Sequence, residues 1–117
     1  MIKEFVNYEM ALALKELGFD EPCLDCYNIY GKRWEMRLNK QSTIEGACLA
    51  PTFSQAFRFF REKYRLEGTI YRLNFKWASQ VFNIETSTYC FVPELFITYE
   101  EAEVDSLKKM IKMYKNK

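Results

Sequence analysis

The chain has 117 residues, of which 49% are hydrophobic and 17% aromatic, and its formal net charge is +1 with no histidine. This composition excludes an intrinsically disordered chain, and the length predicts a single compact domain over residues 1–117. The near-zero net charge argues against a global attraction to nucleic acid, so an anion-binding site would have to be local.

Three helices are predicted, each from a capping residue that is followed by an aromatic residue. The first follows Asn7 and ends before Gly18, because glycine adopts the left-handed conformation past a helix end without strain. The second follows Thr52, whose side chain can form a capping box with Gln55. The third follows Thr98, and its acidic residues precede its lysines, as the helix dipole favours.

The middle helix carries an apolar stripe with helical period, made of Phe53, Ala56, Phe57, Phe60 and Tyr64. Arg58, Arg61 and Arg65 fall outside the stripe. We therefore expect the rings to pack in the core and the arginines to face solvent, so the helix does not present a joint surface of rings and arginines.

Between the first two helices, the segment CYNIYGKRWEMRL predicts a hairpin with Gly31 as the first residue of a two-residue turn. This turn places Ile29 opposite Trp34, and Tyr27 opposite Met36. We expect these four apolar side chains to face the core, since directly opposed residues share one face of a sheet.

Between the second and third helices, the segment TIYRLNFKW alternates strictly and predicts one strand, with Tyr71, Leu73, Phe75 and Trp77 facing inward. Residues 81–84 and 88–92 supply one or two further strands. The predicted fold is α+β: an antiparallel sheet of four or five strands with three helices packed on one face. The predicted order is α-β-β-α-β-β(-β)-α.

The face of this sheet opposite the helices is the candidate binding surface. If the hairpin and the Tyr71 strand share one sheet, the exposed candidates are Arg33, Arg37, Arg72, Lys76, Tyr30 and Asn74. Guanidinium groups bind phosphates and exposed rings stack on bases, so this face suits a small anionic, nucleotide-like ligand or a single-stranded nucleic acid. An ordinary solvated sheet face is the alternative interpretation.

Four cysteines raise the question of a metal or redox site. Cys23 and Cys26 have the spacing of a zinc-ligand pair, which Cys48 and Cys90 would complete. Neither of the latter has a second thiol close in sequence, no histidine is available, and Asp25 disfavours thiolates beside it. We therefore expect thiols that act as small apolar side chains, with no metal and no other cofactor.

No catalytic motif is found in the sequence. Histidine is absent, and there is no G-x-S-x-G, P-loop or G-x-G-x-x-G pattern. No apolar run reaches the roughly 20 residues that a membrane span needs, and the first ten residues lack the apolar core of a signal peptide. We expect a non-enzymatic protein of the cytoplasm that does not bind membranes.

Three distinctive segments are distributed over nearly the whole length of the chain: YEMALALKELGFDEPC, APTFSQAFRFFREKY and TYEEAEVDSLKKMI. In these segments the chain resembles a group of small phage and prophage proteins from gut Bacteroidetes-type genomes, most of which have no assigned activity. The middle segment is the most distinctive. The resemblance implies an accessory role in phage biology, and it transfers no site residues.

Together these observations predict a non-enzymatic binding protein of phage origin in the host cytoplasm. It would counter host defence by sequestering a small anionic ligand or by blocking a host protein. The alternative is a nucleic-acid-associated accessory protein that uses the basic sheet face. A homo-oligomer is compatible with both readings.

Overall fold

A computed structural model describes residues 5–115 of the protein. The prediction that the first ten residues are not a signal peptide includes residues 1–4, which lie outside this range. The elements in chain order are α1 (Tyr8–Glu16), β1 (Asp25–Tyr27), β2 (Arg33–Trp34), β3 (Cys48–Ala50), α2 (Phe53–Phe59), β4 (Leu66–Leu73), β5 (Lys76–Asn83), β6 (Thr88–Tyr89), β7 (Glu94–Phe96) and α3 (Tyr99–Lys115).

The described residues confirm the α+β class, with three helices and antiparallel strand pairs. The strands are divided between two sheets, one in the order β2-β1-β3 and one in which β5 pairs with β4, β6 and β7. The chain separates into two compact units, the first ending at Ala56 and the second beginning at Phe57. Each unit holds one sheet, and the single domain over residues 1–117 stays a prediction.

The first unit begins with α1, whose N-terminus is capped as predicted. Asn7 Oδ1 accepts the Met10 amide at 2.9 Å, and Gly18 has a φ of 97° just past the helix end. The Tyr8 ring packs edge-on against Tyr27 of β1 at 5.5 Å, and the Tyr27 hydroxyl donates to the Val6 carbonyl at 2.6 Å. These contacts fix α1 against one face of the first sheet.

The hairpin of the first sheet differs from the prediction in its register. Five residues, 28–32, connect β1 to β2, and Tyr27 lies opposite Arg33 instead of Met36. The reason is Asn28, whose Oδ1 accepts the amides of Tyr30 and Lys32 and stabilises a wider turn.

This shift in register reverses the predicted faces of β2, since neighbouring residues of a strand point to opposite sides. Trp34 now pairs with Cys26. Of the four apolar side chains expected in the core, Tyr27 is buried as predicted. Ile29 is exposed, as are Trp34 and Met36, with exposed fractions of 51% and 54% for the last two.

The middle helix starts with the predicted capping box. The Thr52 amide donates to Gln55 Oε1 at 3.0 Å, and the Gln55 amide donates to Thr52 Oγ1 at 3.2 Å. Phe53, Ala56 and Phe60 of the stripe are buried, as expected.

The sequence pattern missed a change of helical period after Phe59. Residues Phe60–Tyr64 form a π-helical turn, which ends at Arg65 in the left-handed conformation. A π turn rotates the following side chains relative to an α-helix, so the period of 3.6 no longer locates core positions after Phe60. Burial already departs from the predicted stripe before this turn, since Phe59 is buried and Phe57 is only half-buried.

In the second unit, α3 packs on one face of the four-stranded sheet. Thr98 and Glu101 form a capping box at its start, with both amide hydrogen bonds at 3.1 Å. Gly68 of β4 permits close packing, because an added Cβ would lie 2.8 Å from Met110 Cε and 2.9 Å from Ser106 Oγ. The α3 face of β4 therefore includes Gly68 and, by alternation, Arg72.

The segment TIYRLNFKW was wrongly predicted as one strand. It contains the end of β4, a two-residue turn at Asn74 and Phe75, and the start of β5. Leu73 pairs with Lys76 across this turn. The inward positions predicted from strict alternation are therefore not supported at Phe75, which is 91% exposed.

Candidate functional site

The candidate binding residues that lie in the first unit are Arg33, Arg37 and Tyr30, and they do not form an open row of positive charges. Arg33 forms an ion pair with Asp25, a buried carboxylate, and its guanidinium lies 4.7 Å from the centre of the Phe5 ring. Arg37 lines a cavity of about 320 Å³ together with Phe5. Tyr30 lies exposed in the turn between β1 and β2. The Arg33 guanidinium is thus half-buried and already held by Asp25 and the Phe5 ring.

The predicted cations of the second unit are Arg72 and Lys76, at the end of β4 and the start of β5. Arg72 pairs with Trp77 and Lys76 pairs with Leu73, so the two cations lie on opposite faces of the hairpin. The expectation that they project the same way is wrong, because it assumed one continuous strand.

The assumption behind the four-cation platform is also wrong. Arg33 belongs to the sheet of the first unit, whereas Arg72 and Lys76 belong to the sheet of the second. The hairpin and the Tyr71 strand therefore do not share one sheet. Whether any of these residues binds an anion stays a prediction.

The turn that joins β4 to β5 has an unusual conformation. Asn74 and Phe75 have φ values of 49° and 65°, as in a type I′ turn, which fits the twist of a hairpin. Asparagine tolerates this conformation, but the second position of such a turn is usually glycine. A bulky residue with positive φ is strained, and this strain is informative because it occurs at functional sites more often than elsewhere.

Phe75 is also the most exposed large apolar side chain among the described residues. It combines backbone strain with an aromatic ring in solvent, and neither feature stabilises the isolated protein. Sequence reasoning placed this ring in the core. The available signal was Asn74 in the middle of the segment, because asparagine favours turns and tolerates positive φ.

Charged and apolar side chains surround Phe75 on both faces of the hairpin. On the α3 face, the Arg72 guanidinium lies 5.1 Å from the centre of the Trp77 ring, and that ring packs edge-on against Tyr99 at 5.2 Å. On the other face, Lys76 lies beside the exposed Leu73. No acidic residue occurs from position 68 to position 84, so Arg72 and Lys76 give this part of the hairpin a net positive charge.

A further exposed apolar residue extends this surface. Phe96 of β7 pairs with Trp77, and Ile97 follows it with 79% of its surface exposed. We call the set Arg72, Leu73, Phe75, Lys76 and Ile97 the hairpin-tip surface. An exposed ring with arginine and aliphatic neighbours has the composition that protein interfaces favour.

The cysteines form no metal centre within residues 5–115, where no group of three or more cysteine, aspartate, glutamate or histidine side chains is close enough to hold an ion. Burial raises the pKa of the Cys23 thiol to about 12 and that of Cys48 to about 11. Asp25 raises the pKa of both Cys23 and Cys26 further, in the direction expected from the sequence. The raised pKa values keep these thiols mostly protonated at neutral pH, which lowers their reactivity as nucleophiles.

Comparisons with models of known protein families, with curated proteins and with solved structures find no match.

Proposed function

We propose that this protein is a non-enzymatic accessory protein of phage origin that binds a host protein in the cytoplasm through the hairpin-tip surface. The observation that carries the proposal is Phe75, which is 91% exposed in a left-handed backbone conformation. An aromatic residue that is both strained and solvent-exposed costs stability in the free protein. Contact with a partner would offset this cost by burying the ring.

The partner that fits this surface is a protein with an apolar pocket and an acidic rim. The pocket would receive the Phe75 ring, and the rim would face Arg72 and Lys76. Interfaces of this kind place an aromatic anchor at the centre and charges at the edge, where they accelerate association. The absence of acidic residues from position 68 to position 84 gives the hairpin the matching charge.

A small phosphate-bearing ligand is less well supported by the geometry. Such a ligand requires cations that converge on one point, whereas Arg72 and Lys76 lie on opposite faces and Arg33 is paired with Asp25. Single-stranded nucleic acid remains the second candidate, because an exposed ring beside cations can stack on a base.

Site-specific photo-crosslinking tests the proposal and separates the two candidates. Phe75 is replaced by benzoylphenylalanine, and Ser87→benzoylphenylalanine is the matched control, since Ser87 is an exposed turn residue with φ 54°. After irradiation in host extract, we expect a discrete, nuclease-resistant protein adduct from position 75 only. A nuclease-sensitive adduct would support nucleic acid instead, and identical products from both positions would contradict the proposal.

A further inference from the structure

The first unit contains an apolar cavity that the proposed function does not use. It has a volume of about 460 Å³, within the range of small-molecule sites. It lies against β1 and β2 and is lined by Cys26, Tyr27, Asn28, Trp34, Met36, Leu38, Ser42, Ala47 and Cys48. Because Cys26 pairs with Trp34, these two side chains share one face of the sheet.

The chemistry of the lining selects an uncharged occupant. None of the lining residues carries a formal charge, since burial keeps the Cys48 and Cys26 thiols protonated. Asn28 Oδ1 already accepts two amides of the turn, and Ser42 Oγ accepts the Ile44 amide at 3.0 Å. The side-chain acceptors of Asn28 and Ser42 are thus engaged in local turns. Because no charged side chain lines the cavity, an ionic ligand would lose hydration on entering it without gaining an ion pair.

The shape and the side chains favour a ring-bearing ligand. Trp34 and Met36 line the cavity, and each leaves about half of its surface exposed. Indole rings pack on flat apolar molecules, and the flexible thioether of methionine adapts to irregular shapes. A bound ring would bury these surfaces without separating any polar group from water.

From these contacts we infer that the first unit binds a small, uncharged, aromatic molecule in the cavity between β1, β2 and the connection that precedes β3. This inference concerns residues of the first unit only. It does not depend on the hairpin-tip surface, and the two proposals can fail separately.

Titration of the full chain with N-phenyl-1-naphthylamine, a neutral aromatic probe whose emission rises in apolar sites, tests the inference. We expect a saturable, blue-shifted signal with one site per chain. Ala47→Met places a larger side chain in the cavity and should weaken binding by about tenfold or more. Thr43→Met, on the same connection but exposed and outside the lining, should bind like the wild type.

Two further controls keep the result interpretable. Phe75→Gly should leave probe binding unchanged, which shows that the probe binds in the cavity and not at the exposed hairpin.

If Ala47→Met does not fold, alkylation of Cys26 is followed by mass spectrometry in the wild type, with Cys90 of the second unit as the internal reference. The probe should slow modification of Cys26 and leave modification of Cys90 unchanged. No saturable signal, equal binding by folded Ala47→Met, or unchanged Cys26 labelling would overturn the inference.

Discussion

Leu73 lies directly opposite Lys76 in the second sheet, with only Asn74 and Phe75 between them. This pairing sets the geometry of the candidate site. It separates Arg72 from Lys76 onto opposite faces and leaves the Phe75 ring in solvent at the end of the hairpin. The cations therefore flank an aromatic residue, and they do not form one positively charged row.

The ion pair of Arg33 with Asp25 predicts that Arg33 acts in stability. Asp25 is only 4% exposed, so removing its partner leaves a buried charge without compensation. Arg33→Leu should lower the free energy of unfolding by about 3 kcal/mol, measured by denaturant unfolding. Arg72→Leu is the matched control at an exposed position and should change stability by less than about 1 kcal/mol. Equal effects of the two substitutions would show that the Asp25 pair is not structural.

Gly68 provides a second test, of the packing between β4 and α3. A Cβ at this position would lie within 3.0 Å of Met110, Phe57 and Ser106. Gly68→Ala should therefore cost about 1–3 kcal/mol of stability, as overpacking does in other cores. Thermal and denaturant unfolding measure the change. A loss smaller than about 0.5 kcal/mol would mean that the helix can move away from the sheet freely.

Glu103 predicts a pH dependence of stability. Burial raises the pKa of the Glu103 carboxyl above its usual value, and the nearby Glu100 raises this pKa further. A raised pKa in the folded state means that protonated Glu103 favours folding, and this contribution is lost as pH rises through the folded-state pKa. At pH 7 the ionised carboxylate therefore opposes folding.

Glu103→Gln should accordingly raise the melting temperature at pH 7. Its advantage should shrink towards about pH 4 and below, as the wild-type carboxyl becomes protonated in the folded and the unfolded state. Glu85→Gln, in an exposed turn, is the control and should show little change. An advantage that grows as the pH falls would contradict the environment described for Glu103.

The features that the sequence predicted well are local. The capping box at Thr52 depends on residues three positions apart, and it forms. The predicted capping residues Asn7 and Thr98 also accept an amide of the first turn of their helices. The α+β class follows from the alternation of helical and strand periods along the chain.

The turns were predicted less well, for a physical reason. A two-residue turn preserves the alternation of apolar letters, so Leu73, Phe75 and Trp77 look like one face of one strand. The turn at Asn74 and Phe75 also lacks glycine. In the first hairpin, Gly31 does have positive φ, but the Asn28 side chain sets a longer turn and a different register.

The strain at Phe75 gives the most direct test of the account. Phe75→Gly removes the positive-φ penalty and supplies the residue that a type I′ turn prefers, so the free energy of unfolding should rise by about 1 kcal/mol. Ser87→Gly relieves a similar strain, at φ 54°, in a turn outside the hairpin-tip surface. Ser87→Gly is therefore the matched control, because it should raise stability in the same way and keeps the Phe75 ring.

The decisive measurement is the affinity of these variants for the protein that crosslinks at position 75. We expect Ser87→Gly to bind like the wild type. Phe75→Gly, although at least as stable, should lose about 2 kcal/mol or more of binding free energy, as for an interface hot spot. Wild-type affinity in a folded Phe75→Gly variant would contradict the claim that the Phe75 ring is the contact residue.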